Sequence, residues 1–417
     1  MSFFRIYIYL KFKFFFLSIF NKISSPEEKI KLLLNQYTKK RNSILTGQLR
    51  VGFFLVIKYL KQKYPKKKEI IVSSYNLAEM VNICKNLHLK VKFIKLNENI
   101  FLDADDLKKK INKNTLAVLV TNIFNTSKNI RNIKSVCNKF KVPLIEDNAI
   151  YFGNYTNVKG KKSFSGSYGD YSLHSFNIMK NISGMYGGSV SSDDELFINY
   201  SKNELANFQN FPFFKYFIQC ATYFILKTIS FKYFYKLFFF NFLKRAHKTN
   251  NKFVLKLVYP SLKFKKQHFE NNFSTKLNKL SSQMIWYQLN DKNSISLNHI
   301  IRKNNNIYYD KLFKRLNIKE LRTIKMKEPN FQNFNDFPII VKDKAKLILY
   351  LLDNGIETKT IQYLDCHKIF GKNTKGLDSY ENKILCLPNH IKIKKKYIDY
   401  IVGKINYFYK KRLYKIK

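Results

Sequence analysis

Two residues, Asp147 and Lys180, carry the chemistry most readily read from this chain. Asp147 ends the apolar run Leu144-Ile145-Glu146-Asp147, while Lys180 follows the pair Ser175-Phe176 and precedes the glycine pair Gly187-Gly188. A lysine amine forms an imine with an aldehyde cofactor, and a carboxylate keeps a pyridine nitrogen protonated so that the ring accepts electrons from a substrate carbanion. Those are the demands of pyridoxal 5'-phosphate, with Lys180 as the Schiff-base lysine and Asp147 beside the ring nitrogen. Opposite charges ~4 Å apart attract by about 4 kcal/mol at an effective dielectric near ~20, which is roughly three pKa units on the ring nitrogen. Such a shift keeps the ring cationic at neutral pH. Ser175 offers a hydroxyl to the cofactor phosphate, and backbone N–H groups after Thr46-Gly47 complete a cradle if a helix starts there.

The elements around these residues predict an α/β architecture. Apolar, strand-like runs at residues 70–72, 91–94, 116–120 and 143–145 alternate with helical stretches at 78–87 and 130–140. That alternation gives a mostly parallel sheet covered by helices, with ligands at the carboxyl ends of the strands, and Asp147 stands at such an end. From about residue 263 the pattern changes. A long helical stretch at 277–313 precedes a smaller α+β region with strands near 338–341 and 384–387 and a basic terminal helix at 394–414. The expected organisation is an N-terminal basic and aromatic segment (1–40), a cofactor-binding large domain (41–210), a basic aromatic insertion (211–245) and a C-terminal small domain with its connecting helix (246–417).

Taken one at a time, these residues have plainer readings. A single lysine in a glycine-rich loop is usually a solvated side chain, a strand-end Asp is often a turn residue, and hydroxyls at helix starts are often N-caps. Their order and spacing together are what resemble a known family. The chain is similar to the DegT/DnrJ/StrS group, fold-type I pyridoxal phosphate aminotransferases acting on keto-sugars, over most of residues 40–410. The resemblance rests on Thr46-Gly47, Ile70-Ile71-Val72-Ser73-Ser74-Tyr75, Ile145-Glu146-Asp147-Asn148-Ala149, Ser175-Phe176 with Lys180, and Gly187-Gly188. In the C-terminal part it rests on Phe337-Pro338-Ile339-Ile340-Val341, Asn354-Gly355-Ile356 and Cys386-Leu387-Pro388-Asn389-His390.

The resemblance implies an aspartate-aminotransferase-like large domain with a smaller α+β domain. It implies that Lys180 is catalytic, that Asp147 partners the pyridine nitrogen, and that Ser175 with Thr46, Gly47 and Gln48 binds phosphate. It also implies glutamate as amino donor, a nucleotide- or lipid-linked keto-sugar as acceptor, a homodimer, and a place in cell-surface polysaccharide or glycolipid synthesis. Two positions depart from the family pattern. Ile150 stands where Gln or His is common near the ring, and Leu77 stands where an aromatic residue often stacks on it. In this family, loss of the Schiff-base lysine accompanies sugar dehydration, so Lys180 argues for transamination. His174, next to Ser175, should turn to the opposite face of its strand and is read as structural.

Composition sets the wider limits. The chain has 417 residues, 45% of them hydrophobic, which suits two domains with substantial cores and argues against disorder. Its net charge of +48 is extreme, yet the lysines are spread along the chain with abundant Asn, Ile, Phe and Tyr, and no nucleic-acid-binding motif stands out. An anionic membrane surface is the better candidate partner. Residues 1–21 are apolar but interrupted by Arg5, Lys11 and Lys13, and make no clean secretory signal; a peripheral anchor is favoured over a docked helix. Residues 211–245 are aromatic, with lysines at 215, 227, 232 and 236 too frequent for a transmembrane helix. An interfacial helix fits, against a buried helical pair or dimer contact with lysines snorkelling outward. The expected place is therefore the cytoplasm, peripheral to the inner face of the membrane. The five cysteines form no CxxC pair and the histidines no HExxH pattern, so no metal is expected. The rival to an enzyme is a non-catalytic membrane- or polyanion-binding protein that keeps the fold.

Overall fold

The computed structural model describes residues 7–97, 100–123, 127–150, 152–158, 161–258, 274–324, 336–360, 363–371 and 380–411. The chain forms two compact units, one of residues 8–223 with 267–296, the other of residues 1–7, 224–266 and 297–417.

The first unit begins with helices α1 (Phe12–Phe20) and α2 (Pro26–Thr38) and then alternates strands and helices. Its strands are β1 (Asn42–Thr46), β2 (Glu69–Ser73), β3 (Lys90–Ile94), β4 (Thr115–Thr121), β5 (Leu144–Asp147), β6 (Tyr171–Ser175) and β7 (Gly188–Ser192). They form one sheet in the order β1-β7-β6-β5-β4-β2-β3. Only β7 runs against its neighbours, pairing antiparallel with β1 and β6, while β6, β5, β4, β2 and β3 are parallel. The sheet is thus mostly parallel. Such a sheet is covered on both faces, and β4, Thr-Leu-Ala-Val-Leu-Val-Thr, is buried at every position.

Helices α3 (Leu49–Lys63), α4 (Ala78–Asn86), α5 (Ala104–Lys110), α6 (Ser127–Lys139) and α7 (Glu195–Ala206) follow the strands. One face of the sheet meets α5 and α6, where Leu107, Ile130, Ile133 and Val136 pack against Ile71, Val118 and Val120. Further along the chain, α8 (Phe213–Ile229) opens the aromatic insertion, and residues 240–248 form α9 (Phe240–Lys248). The long helical stretch expected at 277–313 is two helices, α10 (Lys279–Asn290) and α11 (Lys292–Leu316). The break falls at Asp291, whose carboxylate accepts the Ser294 N–H at 3.1 Å, an alternative partner that competes with helix continuation.

The N-terminal segment is docked. Phe14 and Phe15 of α1 are buried, Phe15 stacks on Tyr223 with ring centroids 5.6 Å apart while Phe12 meets the same tyrosine edge-on at 5.7 Å, and Ile30 and Leu34 of α2 join a core with Phe176 and Ile285. This packing is that of a docked helix, the alternative to the expected peripheral anchor, although Phe20 stays exposed.

The second unit carries a four-stranded antiparallel sheet. Its strands are β8 (Leu321–Thr323), β9 (Asp336–Val341), β10 (Lys359–Thr360) and β11 (Ile384–Pro388), in the order β8-β9-β11-β10. Helices α12 (Lys344–Asp353) and α13 (Lys395–Lys410) complete it. Its core stacks Tyr309, Phe313 and Phe337 against Leu385, Leu387 and the inner face of α13 at Ile398, Ile401 and Ile405. The terminal basic helix expected at 394–414 is α13, and its residues beyond 411 lie outside the described ones.

Candidate active site

Strand register gathers the chemistry at the carboxyl edge of the large sheet. Thr46 at the end of β1 pairs with Gly188, and Gly188 pairs with Ser175 at the end of β6. On the next strand, Asp147 ends β5 opposite Leu173. Residues far apart in sequence therefore share one edge, as expected for a sheet with ligands at its strand ends.

Asp147 is buried with an incomplete set of partners. One carboxylate oxygen accepts the Ala149 N–H at 2.9 Å, and the other, Oδ2, has no hydrogen-bond partner among the described residues. Burial pushes the carboxyl up to about 6, against the Ala149 hydrogen bond and the charge of Lys180, both of which favour the ionised form. A buried acceptor left open is costly and points to a group that is meant to fill it.

Lys180 sits on a turn that is fastened at several points. Its own N–H donates to the Asn177 carbonyl at 2.9 Å, the Asn177 side chain accepts from Ile178 N at 2.6 Å and from Gln219 Nε2 at 3.0 Å, and Phe176 O accepts the Gly184 N–H at 2.9 Å. Helix α10 holds the far side. Gln288 exchanges two hydrogen bonds with the Ser183 backbone, and the Ser281 hydroxyl donates to Gly184 O at 2.6 Å. Gly184 has no room for a side chain, since a Cβ there would meet Ile285 at 2.9 Å, and Ile182 is buried in the same core. The lysine thus stands on a rigid loop beside the aspartate.

The expected phosphate end lies at the start of α3. Gln48 is its N-cap and makes no capping hydrogen bond with its side chain, so the first-turn amides of Leu49 and Arg50 lack that cap and can face an anion. Ser175 is half-buried at the same edge. Other expected donors are already engaged. The Thr46 hydroxyl donates to the Gln48 carbonyl at 2.7 Å, and the Gly47 N–H donates to the Thr275 carbonyl at 2.9 Å. Gln48 Oε1 accepts from the Arg50 guanidinium at 2.6 Å. Arg50 is a cation at the phosphate end that the sequence reading passed over, although its place two residues into a helix after Thr46-Gly47 was a usable signal.

His174 is buried on the opposite face from Ser175, its ring edge-on to Phe152 at 5.3 Å, and burial holds its pKa down to about 3. It is a neutral packing residue. Glu146 is buried on that same side of β5 and has a structural role. Its carboxylate accepts from Gly166 N at 2.8 Å, Gly169 N at 3.0 Å, Tyr168 N at 3.3 Å and Asn122 Nδ2 at 2.9 Å. It ties the loop before β6 to β5. Leu77 stands at the N-cap position of α4 without a side-chain capping bond, and Ile150 follows the Asp147 turn, both half-buried.

With this geometry in hand, comparison with known proteins is informative. Residues 26–209 match the model of the DegT/DnrJ/EryC1/StrS aminotransferase family. GDP-perosamine synthase of Vibrio cholerae is 33% identical over 132 residues, 31% of this chain and 35% of that protein. The matches span between 21% and 42% of the length of the curated relatives. Among solved structures, PseC of Helicobacter pylori, an aminotransferase involved in the biosynthesis of pseudoaminic acid, superposes with a TM-score of 0.70 at 14% identity, over 99% of this chain and 100% of that one. A GDP-4-keto-6-deoxymannose-3-dehydratase superposes with a TM-score of 0.67 at 18% identity, over 95% and 97% of the two chains. These likenesses establish the fold of both units.

Proposed function

We propose that this chain, whose residues 26–209 match the model of the DegT/DnrJ/EryC1/StrS aminotransferase family, is a pyridoxal phosphate-dependent aminotransferase that moves an amino group, with glutamate as donor, onto a keto-sugar. The observation that carries the reading is the buried, open Oδ2 of Asp147 within the field of the Lys180 ammonium at the carboxyl edge of a mostly parallel sheet. When bound, the cofactor supplies an electron sink for the carbanion formed at the donor Cα. Asp147 Oδ2 would pair with the protonated ring nitrogen, which would supply the partner that this oxygen lacks. Lys180 Nζ would hold the cofactor and would serve as the base for the proton at the donor Cα. Ser175 and the first-turn amides of α3, with Arg50 beside them, hold the phosphate.

The acceptor is a nucleotide- or lipid-linked keto-sugar destined for cell-surface polysaccharide or glycolipid, and the working unit is a homodimer. Its place is the cytoplasm, in peripheral contact with an anionic membrane. Among the described residues no helix is long and apolar enough to cross one. Incubation with pyridoxal phosphate, glutamate and a nucleotide-linked 4-keto-6-deoxyhexose, with 2-oxoglutarate as the readout, tests the reaction. Stoichiometric 2-oxoglutarate and amino-sugar support it. Loss of the sugar hydroxyl without amination would replace transamination by dehydration. Failure to hold cofactor at all would favour a fold kept for membrane or polyanion binding.

A further inference from the structure

The helical residues 232–248 of the second unit are apolar on two sides. On the inner side, Tyr235, Phe240, Leu243 and Ala246 are buried, with Leu352 and Ile348 of α12 in the same cluster as Tyr235 and Phe240. The Tyr235 hydroxyl bonds Glu357 at 2.6 Å, and Lys244 and Lys248 both reach Asp353 at 2.9 Å. A five-residue step from Tyr235 to Phe240 would turn the two rings ~140° apart around a regular α-helix. A π-helical turn at Tyr235–Phe239, closed by the Phe240 N–H on the Tyr235 carbonyl, absorbs the extra residue. The two rings then meet on one side, with centroids 5.7 Å apart.

That inner anchorage fixes what faces outward. Phe234, Phe238 and Phe242 recur at every fourth residue and are 42%, 64% and 51% exposed, with Leu237 59% exposed beside them. The rings of Phe234 and Phe238 lie 5.5 Å apart and form a continuous apolar stripe. Because the opposite side is packed, the stripe cannot rotate into the unit's own core. A helix that is apolar all round is ordinarily buried, so this side calls for an occupant.

Charge selects that occupant. From residue 205 to 269 the sequence has twelve Lys and Arg and no Asp or Glu, and Lys236 and Arg245 on the same helical segment are exposed. A second copy would bring cations against cations. An anionic bilayer offers lipid tails to Phe234, Leu237, Phe238 and Phe242 and phosphate headgroups to the cations. We propose that the outward stripe Phe234/Phe238/Phe242 inserts in the plane of an anionic membrane, with Lys236 and Arg245 at the headgroups and the π turn setting which residues face the lipid. This deepens the peripheral placement proposed above and rests on it.

The test uses the full-length, cofactor-loaded protein and flotation with vesicles of phosphatidylcholine alone or mixed with phosphatidylglycerol. Wild type should float with the mixed vesicles and at least about tenfold less with neutral ones, and added salt should weaken binding. A triple Phe234→Ser/Phe238→Ser/Phe242→Ser variant should lose about tenfold or more, the Phe→Leu triple should retain binding, and Lys236→Glu/Arg245→Glu should lose the preference for anionic lipid. Equal flotation of wild type and the Ser triple, or no flotation of wild type, overturns the proposal. So does a wild-type dimer that the Ser triple turns into a monomer, since the stripe is then a subunit contact. Visible absorption of bound cofactor, measured on every variant, separates these outcomes from misfolding and from failure of the enzymatic reading.

Discussion

Glu146 and Asp147 are neighbours on one strand, both buried carboxylates, and they end up in opposite conditions. Glu146 accepts four hydrogen bonds, three of them from the backbone of Gly166, Tyr168 and Gly169. Asp147 accepts one, from Ala149, and keeps an oxygen open. Burial raises the pKa of both. The alternation of the strand sends them to opposite faces, so one ties the loop to the strand and the other faces the proposed cofactor site. A filled carboxylate on one face and an open one on the other is the mark of structure beside function.

Removing each partner in turn separates the two carboxylates. The largest effect should come from the site. Lys180→Ala should lower transamination by at least ~1,000-fold while the protein stays folded, measured as 2-oxoglutarate formed from glutamate. Next comes the filled carboxylate. Glu146→Ala leaves three backbone N–H groups and the Asn122 amide facing an empty space, and should cost about 3–5 kcal/mol in denaturant unfolding. Unchanged stability would mean that water replaces the carboxylate and that the contrast with Asp147 is overstated.

The open carboxylate should behave in the reverse sense. In the cofactor-free protein Asp147 keeps its proton up to about pH 6, whereas an unfolded chain releases it near its ordinary value of 3.8. Its burial therefore leaves full stability below about 3.8 and costs stability as pH rises through 6. Asp147→Asn should stabilise the cofactor-free protein by about 3 kcal/mol above pH 6 and hardly at all below pH 4, yet weaken its hold on the cofactor. Thermal melts with and without pyridoxal phosphate check both halves.

His174 supplies a counterweight. Its folded pKa is held down to about 3 against an ordinary 6.5, so its contribution is whole above 6.5 and is lost as pH falls toward 3. Between about pH 4 and 6 the unfolded chain carries the proton on His174 and the folded chain carries it on Asp147, and the contributions of these two groups cancel. Asp147→Asn should then expose a stability that rises with pH by about 1.4 kcal/mol per unit in that window, and His174→Gln should expose the opposite slope. Parallel slopes in the two variants would contradict the assignment. The smallest effect is at the phosphate, where Ser175→Ala should weaken cofactor retention about tenfold, read by equilibrium dialysis.

Much of this arrangement was legible from local pattern. The apolar runs that became β2, β3, β4 and β5 carry their own period, and Asp147 and Lys180 declare themselves by residue type at a strand end and before paired glycines. What stayed hidden depends on contacts between distant residues. Nothing local says that the Gly47 N–H goes to Thr275 or that Glu146 collects the amides of Gly166, Tyr168 and Gly169. The long helical stretch at 277–313 kept its apolar period across Asp291, so the break there depended on a side chain capturing a backbone N–H. The aromatic insertion showed its composition but not its phase, because the π turn at Tyr235–Phe239 decides which rings are buried.

The central claim, that Lys180 and Asp147 hold pyridoxal phosphate for transamination, is met most directly by the visible absorption spectrum of the purified protein with the cofactor, for wild type and Lys180→Ala, before and after glutamate. The account predicts the absorption of lysine-bound cofactor in wild type alone and its loss on adding glutamate, with 2-oxoglutarate released. A spectrum of free cofactor in both proteins, unchanged by glutamate, would contradict it.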